Sequence, residues 1–218
     1  MRGRIARLGL TSVDPILQRH DYPAQVALFL GEALAFAALF ASLLKAEGRL
    51  IVQAQGNGPV PLLVAEHRTG GALRGYARLA PNAPAMLGEQ RRLPPRELIG
   101  EGVLAIMFER GEGLAPHQGL VPLEGETLAA CAEAYFRDSE QTDTRLRLAV
   151  GELLSANAPP LWRAGGVLIQ KVAADGARGE TEEGWRRAAI FHDSLSDEEL
   201  VDPMLPMDRL LYRLFHED

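Results

Sequence analysis

The chain has 218 residues, of which 47% are hydrophobic and 24% are charged, and its formal net charge is −6. This composition is typical of a soluble globular protein with one sizeable core. A single cysteine, Cys131, excludes an internal disulfide and a zinc site built from several thiolates, and it is typical of a protein of the reducing cytosol.

Charge is unevenly distributed along the chain. Residues 1–110 contain 13 basic and 9 acidic side chains, whereas residues 111–218 contain 10 basic and 20 acidic ones. An acidic C-terminal part could therefore dock on the more basic N-terminal part, or it could form a solvated surface. Neither half has a dense basic stripe interleaved with aromatic residues, so the sequence predicts no nucleic-acid partner.

Two helices are predicted near the N-terminus. Ser12 suits the N-cap of a short helix that runs to about His20. Residues 24–47 predict a long apolar helix that ends at Gly48. The length of this helix also fits a membrane span. Glu32 near its middle and the absence of a flanking basic cluster favour the buried central helix of a soluble fold, so no membrane partner is predicted.

Short strands separated by tight turns follow the long helix. Turns this short join antiparallel neighbours. The predicted strands are 49–55, 60–66, 72–79, 102–110, 120–123, 144–153 and 166–172, the predicted second helix is 127–141, and residues 80–95 are predicted as a loop. The fold class is therefore α+β, with antiparallel β-sheets, a long buried helix and a second helix.

The composition changes near residue 173. Residues 173–181 are polar and rich in glycine, as in a linker. Residues 182–218 predict two or three short helices with apolar stripes. Fewer than about 40 residues with so little core rarely fold alone, so this unit is predicted to pack on the sheet. The chain is thus divided into a core domain, 1–172, and a helical linker region, 173–218.

No enzyme is predicted from the reactive side chains. Cys131 shares an apolar helix stripe with Leu128 and Tyr135, which favours a buried structural thiol over a nucleophile. The histidines lack the helical spacing of metal ligands, and no serine lies in a Gly-x-Ser-x-Gly turn. The histidines are His20, His67, His117, His192 and His216.

The segment 117–144 carries the most specific pattern in the chain: a strand, a sharp turn and an amphipathic helix. Together with further motifs in order, it resembles the redox-regulated heat shock protein 33 family, which are holding chaperones of the bacterial cytosol. The other motifs are Arg2-Gly3-Arg4, Arg19-His20-Asp21-Tyr22-Pro23, Leu30-Gly31-Glu32, Gly58-Pro59-Val60, Arg74-Gly75-Tyr76, Ala164-Gly165-Gly166 and residues 210–218. The resemblance covers nearly the whole chain.

This resemblance implies an ATP-independent chaperone, or holdase, that binds unfolding proteins under oxidative and heat stress and acts as a cytoplasmic homodimer. In that family a C-terminal tail of paired cysteines binds zinc and acts as the redox switch. Those cysteines are absent from these 218 residues, so no cofactor is expected here and the chain is expected to act without oxidant. The alternative is a dimeric structural core that binds few clients by itself.

The resemblance also implies that the helical linker covers an apolar sheet surface to which clients bind. Strand alternation selects the client-contact candidates Leu50, Val52, Leu62, Val64, Leu104, Ile106 and Phe108. The covering candidates in the linker are Trp185, Ile190, Phe191, Leu195, Leu210, Leu214 and Phe215. Any single strand residue of this set could equally be ordinary core.

Overall fold

The computed structural model describes residues 1–44, 46–110, 115–156, 158–171 and 182–215, apart from the side chains of Ser155, Ala158 and Phe215. Two antiparallel sheets enclose a central helix, and three short helices cover one sheet from outside. The α+β class predicted from the sequence is confirmed. The predicted linker, 173–181, and the turn at 111–113 lie outside the described residues.

The larger sheet has five strands in the order β4-β3-β2-β5-β6. Its strands are β2 (Gly48–Gly56), β3 (Leu62–Arg68), β4 (Ala72–Arg78), β5 (Gly102–Arg110) and β6 (His117–Pro122). Each pair of neighbours is antiparallel, as the tight turns predict. Strands β4 and β6 form the two edges.

The smaller sheet has three strands in the order β1-β8-β7. They are β1 (Arg2–Leu8), β7 (Thr144–Ser155) and β8 (Ala158–Gln170). The sequence prediction started the last strand at residue 166 because Pro159 and Pro160 suggest a break. Proline is tolerated at the start of a strand, where a ladder hydrogen bond is not required, so β8 includes both prolines.

Helix α2 (Ala24–Ala41) lies between the two sheets and forms the centre of the core. Gly31 brings the helix close to the smaller sheet, since a Cβ atom there would lie 2.8 Å from a methyl group of Val150. The helix has the length and hydropathy of a membrane span, but 78% of it is buried inside the fold. It ends at Ala41 rather than residue 47, and the Ser42 hydroxyl donates to the carbonyl of Leu39.

The remaining helices of the first 172 residues are short, except for α5. They are α1 (Asp14–Leu17), α3 (Ala83–Leu87), α4 (Pro95–Ile99) and α5 (Leu128–Asp138). Helices α3 and α4 lie in and just after the predicted loop 80–95. Each has proline in its first turn, where no amide hydrogen bond is lost, so proline marks helix starts here rather than loop.

The C-terminal helices are α6 (Glu182–Asp193), α7 (Asp197–Val201) and α8 (Met207–Phe215). Helix α7 begins with a capping box, in which Ser196 and Glu199 bond to each other's main-chain amides. The helices contact β7, β8 and each other. They therefore pack on a sheet, as predicted, and that sheet is the three-stranded one.

Candidate functional site

Four of the predicted client-contact residues lie in the core and not on a surface. Leu50, Val52, Leu104 and Ile106 are at most 2% exposed and belong to the cluster around α2. The prediction that the linker helices cover these residues is therefore wrong for them, because α2 occupies that face of the five-stranded sheet.

The predicted client-contact residues come from both faces of the five-stranded sheet. Alternation within one strand shows which residues share a face of that strand, but it does not define the register between strands. Val52 pairs with Ala65, whereas Val64 pairs with Gln53. Val64 and Leu62 consequently lie on the outer face and are half-buried. Phe108 pairs with Leu50 on the inner face and is half-buried near the open end of the core.

The outer face of the five-stranded sheet has no helix packed on it within the described part of the chain. It combines apolar side chains with charged ones at one end, where Arg49 pairs with Glu66 and Glu109. Its exposed or half-buried apolar residues are Leu62, Val64, Tyr76, Val103, Met107 and Leu120. This face therefore mixes exposed apolar and charged side chains, as protein surfaces commonly do.

The C-terminal helices cover the outer face of the three-stranded sheet through a second apolar cluster. From the sheet it contains Ala149 and Val167, with Ile5 at its border. From the helices it contains Leu195, Leu200, Leu210 and Leu214, with Phe191, Val201 and Leu205 at its border. The cluster is separate from the core around α2, so the helices can leave without exposing that core.

The predicted covering residues divide into two groups. Leu195, Leu210 and Leu214 are at most 1% exposed, and Phe191 is half-buried at the border of the cluster. Ile190 is 62% exposed and covers nothing. Trp185 is half-buried outside the cluster, and the side chain of Phe215 lies outside the described residues.

Two arginines of the sheet, Arg7 and Arg163, attach the C-terminal helices through main-chain carbonyls. The acceptors are Glu199, Leu200 and Leu205 for Arg7 and Val201 for Arg163. The Arg7 Nε lies 2.8 Å from the Leu200 oxygen, and the Arg163 Nε lies 2.7 Å from the Val201 oxygen. Carbonyls at the C-terminal end of a helix lack partners within it and carry partial negative charge, so cations stabilise them.

A chain of charges connects the central helix to the C-terminal helices. Glu32 of α2 accepts from Arg92 at 2.8 Å. Arg92 lies 3.6 Å from Asp197 at the start of α7, and Asp197 accepts from Arg147 of β7 at 3.0 Å. Burial raises the pKa of Glu32 to about 7, against the opposing effect of Arg92, and Asp197 contributes to the rise. The charge on Glu32 in the central helix is therefore electrostatically coupled to Asp197 at the start of α7.

Glycine at position 165 allows α7 to lie directly on β8. A Cβ atom at Gly165 would lie 2.6 Å from the carbonyl oxygen of Leu200, a contact that backbone cannot tolerate. We expect Gly165→Ala to weaken docking of the helices by about 2 kcal/mol, because overpacking typically costs about 1–3 kcal/mol. Hydrogen exchange of residues 182–215 measures this effect. Gly151→Ala is the matched control, since its Cβ atom would make an ordinary 3.4 Å contact with Val201; equal exchange in both variants would contradict the expectation.

His192 of α6 is the buried titratable group at this contact. It is 3% exposed, and its Nε2 has no hydrogen-bond partner among the described residues. Its Nδ1 lies 3.2 Å from Asp193. Burial lowers the pKa of His192 below its ordinary value of 6.5, so the ring is neutral at pH 7. Protonation of His192 would place a positive charge in the buried contact between the helices and the sheet. Docking of the C-terminal helices is therefore expected to weaken as the pH falls below 6.5.

The distinctive segment 117–144 has a structural role. Gly119 of β6 lies under the ring of Tyr135 in α5, where a Cβ atom would lie 2.2 Å from a ring carbon. The Tyr135 hydroxyl donates to Glu140 at 2.7 Å. Gln141 adopts a left-handed conformation with φ of 51°, which turns the chain toward β7. The pattern therefore fixes α5 against the five-stranded sheet.

This segment and the rest of the chain match a known family. The profile of the Hsp33 protein family matches residues 1–218. The chain belongs to the Hsp33 family. The 33 kDa chaperonin of Caulobacter vibrioides NA1000 is 49% identical over 219 residues, which are 100% of this chain and 72% of that protein. The 33 kDa chaperonin of Escherichia coli K12 DH10B is 36% identical over 218 residues, which are 68% of that protein.

A solved structure supports the fold. The crystal structure of the 33 kDa chaperonin from Thermotoga maritima matches with a TM-score of 0.74 at 24% identity, covering 99% of this chain and 71% of that one. At this identity the likeness concerns the fold alone. Hsp33 proteins are chaperones and not enzymes, so this chain is a chaperone whose partners are unfolded proteins.

The residues present do not fit the zinc site that the Hsp33 resemblance implies. Cys131 is the one thiol in the sequence, is 1% exposed and has its pKa raised by burial. The described residues contain no group of three or more His, Cys, Asp or Glu side chains that could hold a metal. The thiol packs in the apolar core around α2, as the sequence predicts for a structural cysteine, and burial disfavours the reactive thiolate.

Proposed function

We propose that this chain is an ATP-independent holdase whose client-binding surface is the outer face of the three-stranded sheet. The observation that carries the proposal is the separate apolar cluster between that face and the C-terminal helices. The helices and an unfolding polypeptide compete for Ile5, Ala149 and Val167. The covering residues Leu195, Leu210 and Leu214 take the role that the sequence prediction gave them, on a different sheet.

The character of this contact supports reversible covering. Its apolar part is small, and much of the attachment comes from arginine bonds to carbonyls, which water can replace when the helices leave. Ordering the helices costs conformational entropy that offsets the burial. The net free energy that holds the helices on the sheet is therefore small. A modest change in the favourable contacts or in the entropy cost of ordering the helices would expose the sheet.

The remaining properties are proposed from the family resemblance and the sequence. We infer that the chain acts as a homodimer in the cytoplasm. ATP independence is supported by the sequence, where the glycine-rich stretch at 56–59 leads into a strand and not into a phosphate-binding helix. Because these 218 residues carry one buried thiol, we further propose that they hold clients without an oxidant.

We expect the 218-residue chain to suppress aggregation of a thermally unfolding enzyme in the absence of ATP and peroxide. Light scattering at increasing ratios of chain to client measures the effect, and an unrelated globular protein at equal concentration is the control. Suppression that requires peroxide would contradict oxidant independence. No suppression under either condition would favour the alternative, a dimeric structural core with little client binding.

A further inference from the structure

Strand β4 is an edge of the five-stranded sheet whose outward main-chain groups are only partly covered. Its inner neighbour is β3, from Leu62↔Arg78 to Arg68↔Ala72. The N–H of Ala77 donates to the hydroxyl of Tyr22 at 3.0 Å and therefore points away from β3. Since main-chain groups alternate along a strand, the N–H groups of Leu73 and Gly75 point the same way.

Strand β7, an edge of the three-stranded sheet, has outward main-chain groups that are hydrogen-bonded to side chains. There the carboxylate of Glu133 accepts from the N–H of Leu146 at 2.7 Å, and Arg92 donates to the carbonyl of Val150 at 3.3 Å. On β4, no group in the described part of the chain bonds to the outward N–H of Leu73 or Gly75. The stretch 73–75 can therefore pair with an added strand.

The side chains beside this stretch are basic and aromatic. Arg74, Tyr76 and Arg78 alternate on the outer face and are exposed, and Tyr76 packs edge-on against His20 with ring centroids 5.8 Å apart. Neither Arg74 nor Arg78 has an ion-pair partner within the described ranges, and the same is true of Arg19 across the edge. An uncovered edge flanked by unpaired arginines favours a negatively charged strand.

A cavity of about 860 Å³ adjoins the edge. Its apolar walls include Ile16, Val64 and Leu73, and Tyr76 lines it as well. Glu66 also faces the cavity, but its carboxylate is engaged by Arg49 and Arg68 at 3.4 Å each. The cavity therefore offers apolar contact beside the free arginines, and its one acidic group is already neutralised by partners.

We propose that β4 binds an extended acidic segment of an unfolded client as an additional antiparallel strand. One carboxylate would face Arg74 beside the open stretch, and the residue two positions from it would pack on Tyr76. A second carboxylate, four residues from the first, would reach Arg78 past the Tyr22 hydroxyl without a main-chain bond to Ala77. Main-chain bonds to Leu73 and Gly75 would supply affinity and the arginines would supply selectivity. This inference rests on the proposed holdase function and names a class of client segment.

The test uses fluorescence anisotropy with the 218-residue chain and fluorescein-labelled nine-residue peptides. The acidic peptide has two aspartates four residues apart, a valine midway between them and threonines elsewhere; a second peptide has lysines instead of the aspartates. We expect the acidic peptide to bind at least tenfold more tightly. In the chain variant with both Arg74→Gln and Arg78→Gln this preference should disappear.

A main-chain variant tests strand pairing directly. Leu73→Pro removes one outward N–H while leaving the bonds to β3, because proline is tolerated at an edge when its nitrogen faces solvent. We expect it to bind the acidic peptide at least fivefold more weakly than Leu73→Ala, which keeps the N–H and removes the same apolar side chain from the cavity wall. Circular dichroism checks folding of both variants.

Several outcomes would overturn the inference. Equal binding of the acidic and basic peptides, or no binding of either while aggregation is still suppressed, would refute it and leave the proposed function intact. If Leu73→Pro instead changes the sedimentation coefficient of the chain, the edge joins two copies of this protein and not a client. Loss of both peptide binding and aggregation suppression in the original chain would refute both proposals.

Discussion

Arg7→Ala is expected to release the C-terminal helices and to increase aggregation suppression. The guanidinium of Arg7 donates to carbonyls of Glu199, Leu200 and Leu205, which span α7 and the turn that follows it. Bonds to a charged group contribute about 1.5–3 kcal/mol each, and water partly replaces them on release. A net loss of about 3 kcal/mol would reduce the docking equilibrium more than 100-fold.

Hydrogen exchange and light scattering on the same preparation measure both consequences. Residues 182–215 should exchange rapidly in Arg7→Ala, while α2 stays protected because it belongs to the other cluster. Arg4→Ala is the matched control, since Arg4 lies on the same strand and, within the described part of the chain, its side chain donates to the neighbouring Gly3 carbonyl and to none of the C-terminal helices. Fast exchange without improved aggregation suppression would show that the uncovered sheet is not the client surface.

The sequence was sufficient to predict the elements that have strong local signals. The long helix, the antiparallel meander and α5 follow from apolar spacing and short turns, and α5 is further defined by Thr127, whose hydroxyl accepts from the N–H of Ala130. Proline was the main source of error. Pro159 and Pro160 suggested a break inside what is β8, and the prolines near residues 84–95 concealed two helices.

The candidate site was harder to predict than the fold because it depends on pairing between distant strands. Leu50 and Val52 looked suitable for client binding, but only the register with β3 and β5 and the position of α2 show which face is free. Gly165 and Arg7, which hold α7, carry no local sign of this role, since their contacts lie 35 and 193 residues away in sequence. The motif at 164–166 was recognised in the sequence, but its role in allowing α7 to approach β8 was evident only from the structure.

The charge asymmetry of the chain left docking and a solvated acidic surface as alternatives, and it did not indicate the chemistry of the contact. An acidic C-terminal part does pack against arginines of the sheet. Asp197 forms an ion pair with Arg147, yet Arg7 and Arg163 bind carbonyl oxygens. Half-buried bonds of this kind are screened less by salt than a surface ion pair. Opposite net charges indicate that the C-terminal helices and the sheet attract each other. The position of the contact is determined by the main-chain carbonyls of α7, to which Arg7 and Arg163 bind.

Glu32→Gln is expected to stabilise the protein above pH 7 and to leave its stability unchanged below about pH 4.5. Burial raises the pKa of Glu32 from 4.5 to about 7, so the folded protein binds a proton that the unfolded chain has released between these values. The free energy of unfolding therefore falls as the pH rises through this window. Glutamine resembles the protonated form, which removes the loss of about 3 kcal/mol at alkaline pH.

Urea unfolding of both proteins from pH 4.5 to pH 8 measures this difference. Taking the difference between the two proteins at each pH cancels the opposite contribution of His192, whose lowered pKa makes stability rise with pH near 6.5. Glu101→Gln is the surface control, because the Glu101 side chain is 80% exposed. If the difference in free energy of unfolding between the two proteins does not grow with pH, the ion pair with Arg92 fully offsets the cost of burying the ionised Glu32 carboxylate. Because Asp197 contributes to the raised pKa of Glu32, removing the charge on Glu32 should also slow hydrogen exchange of residues 197–201 in Glu32→Gln at pH 8. Unchanged exchange there would mean that this charge does not influence α7.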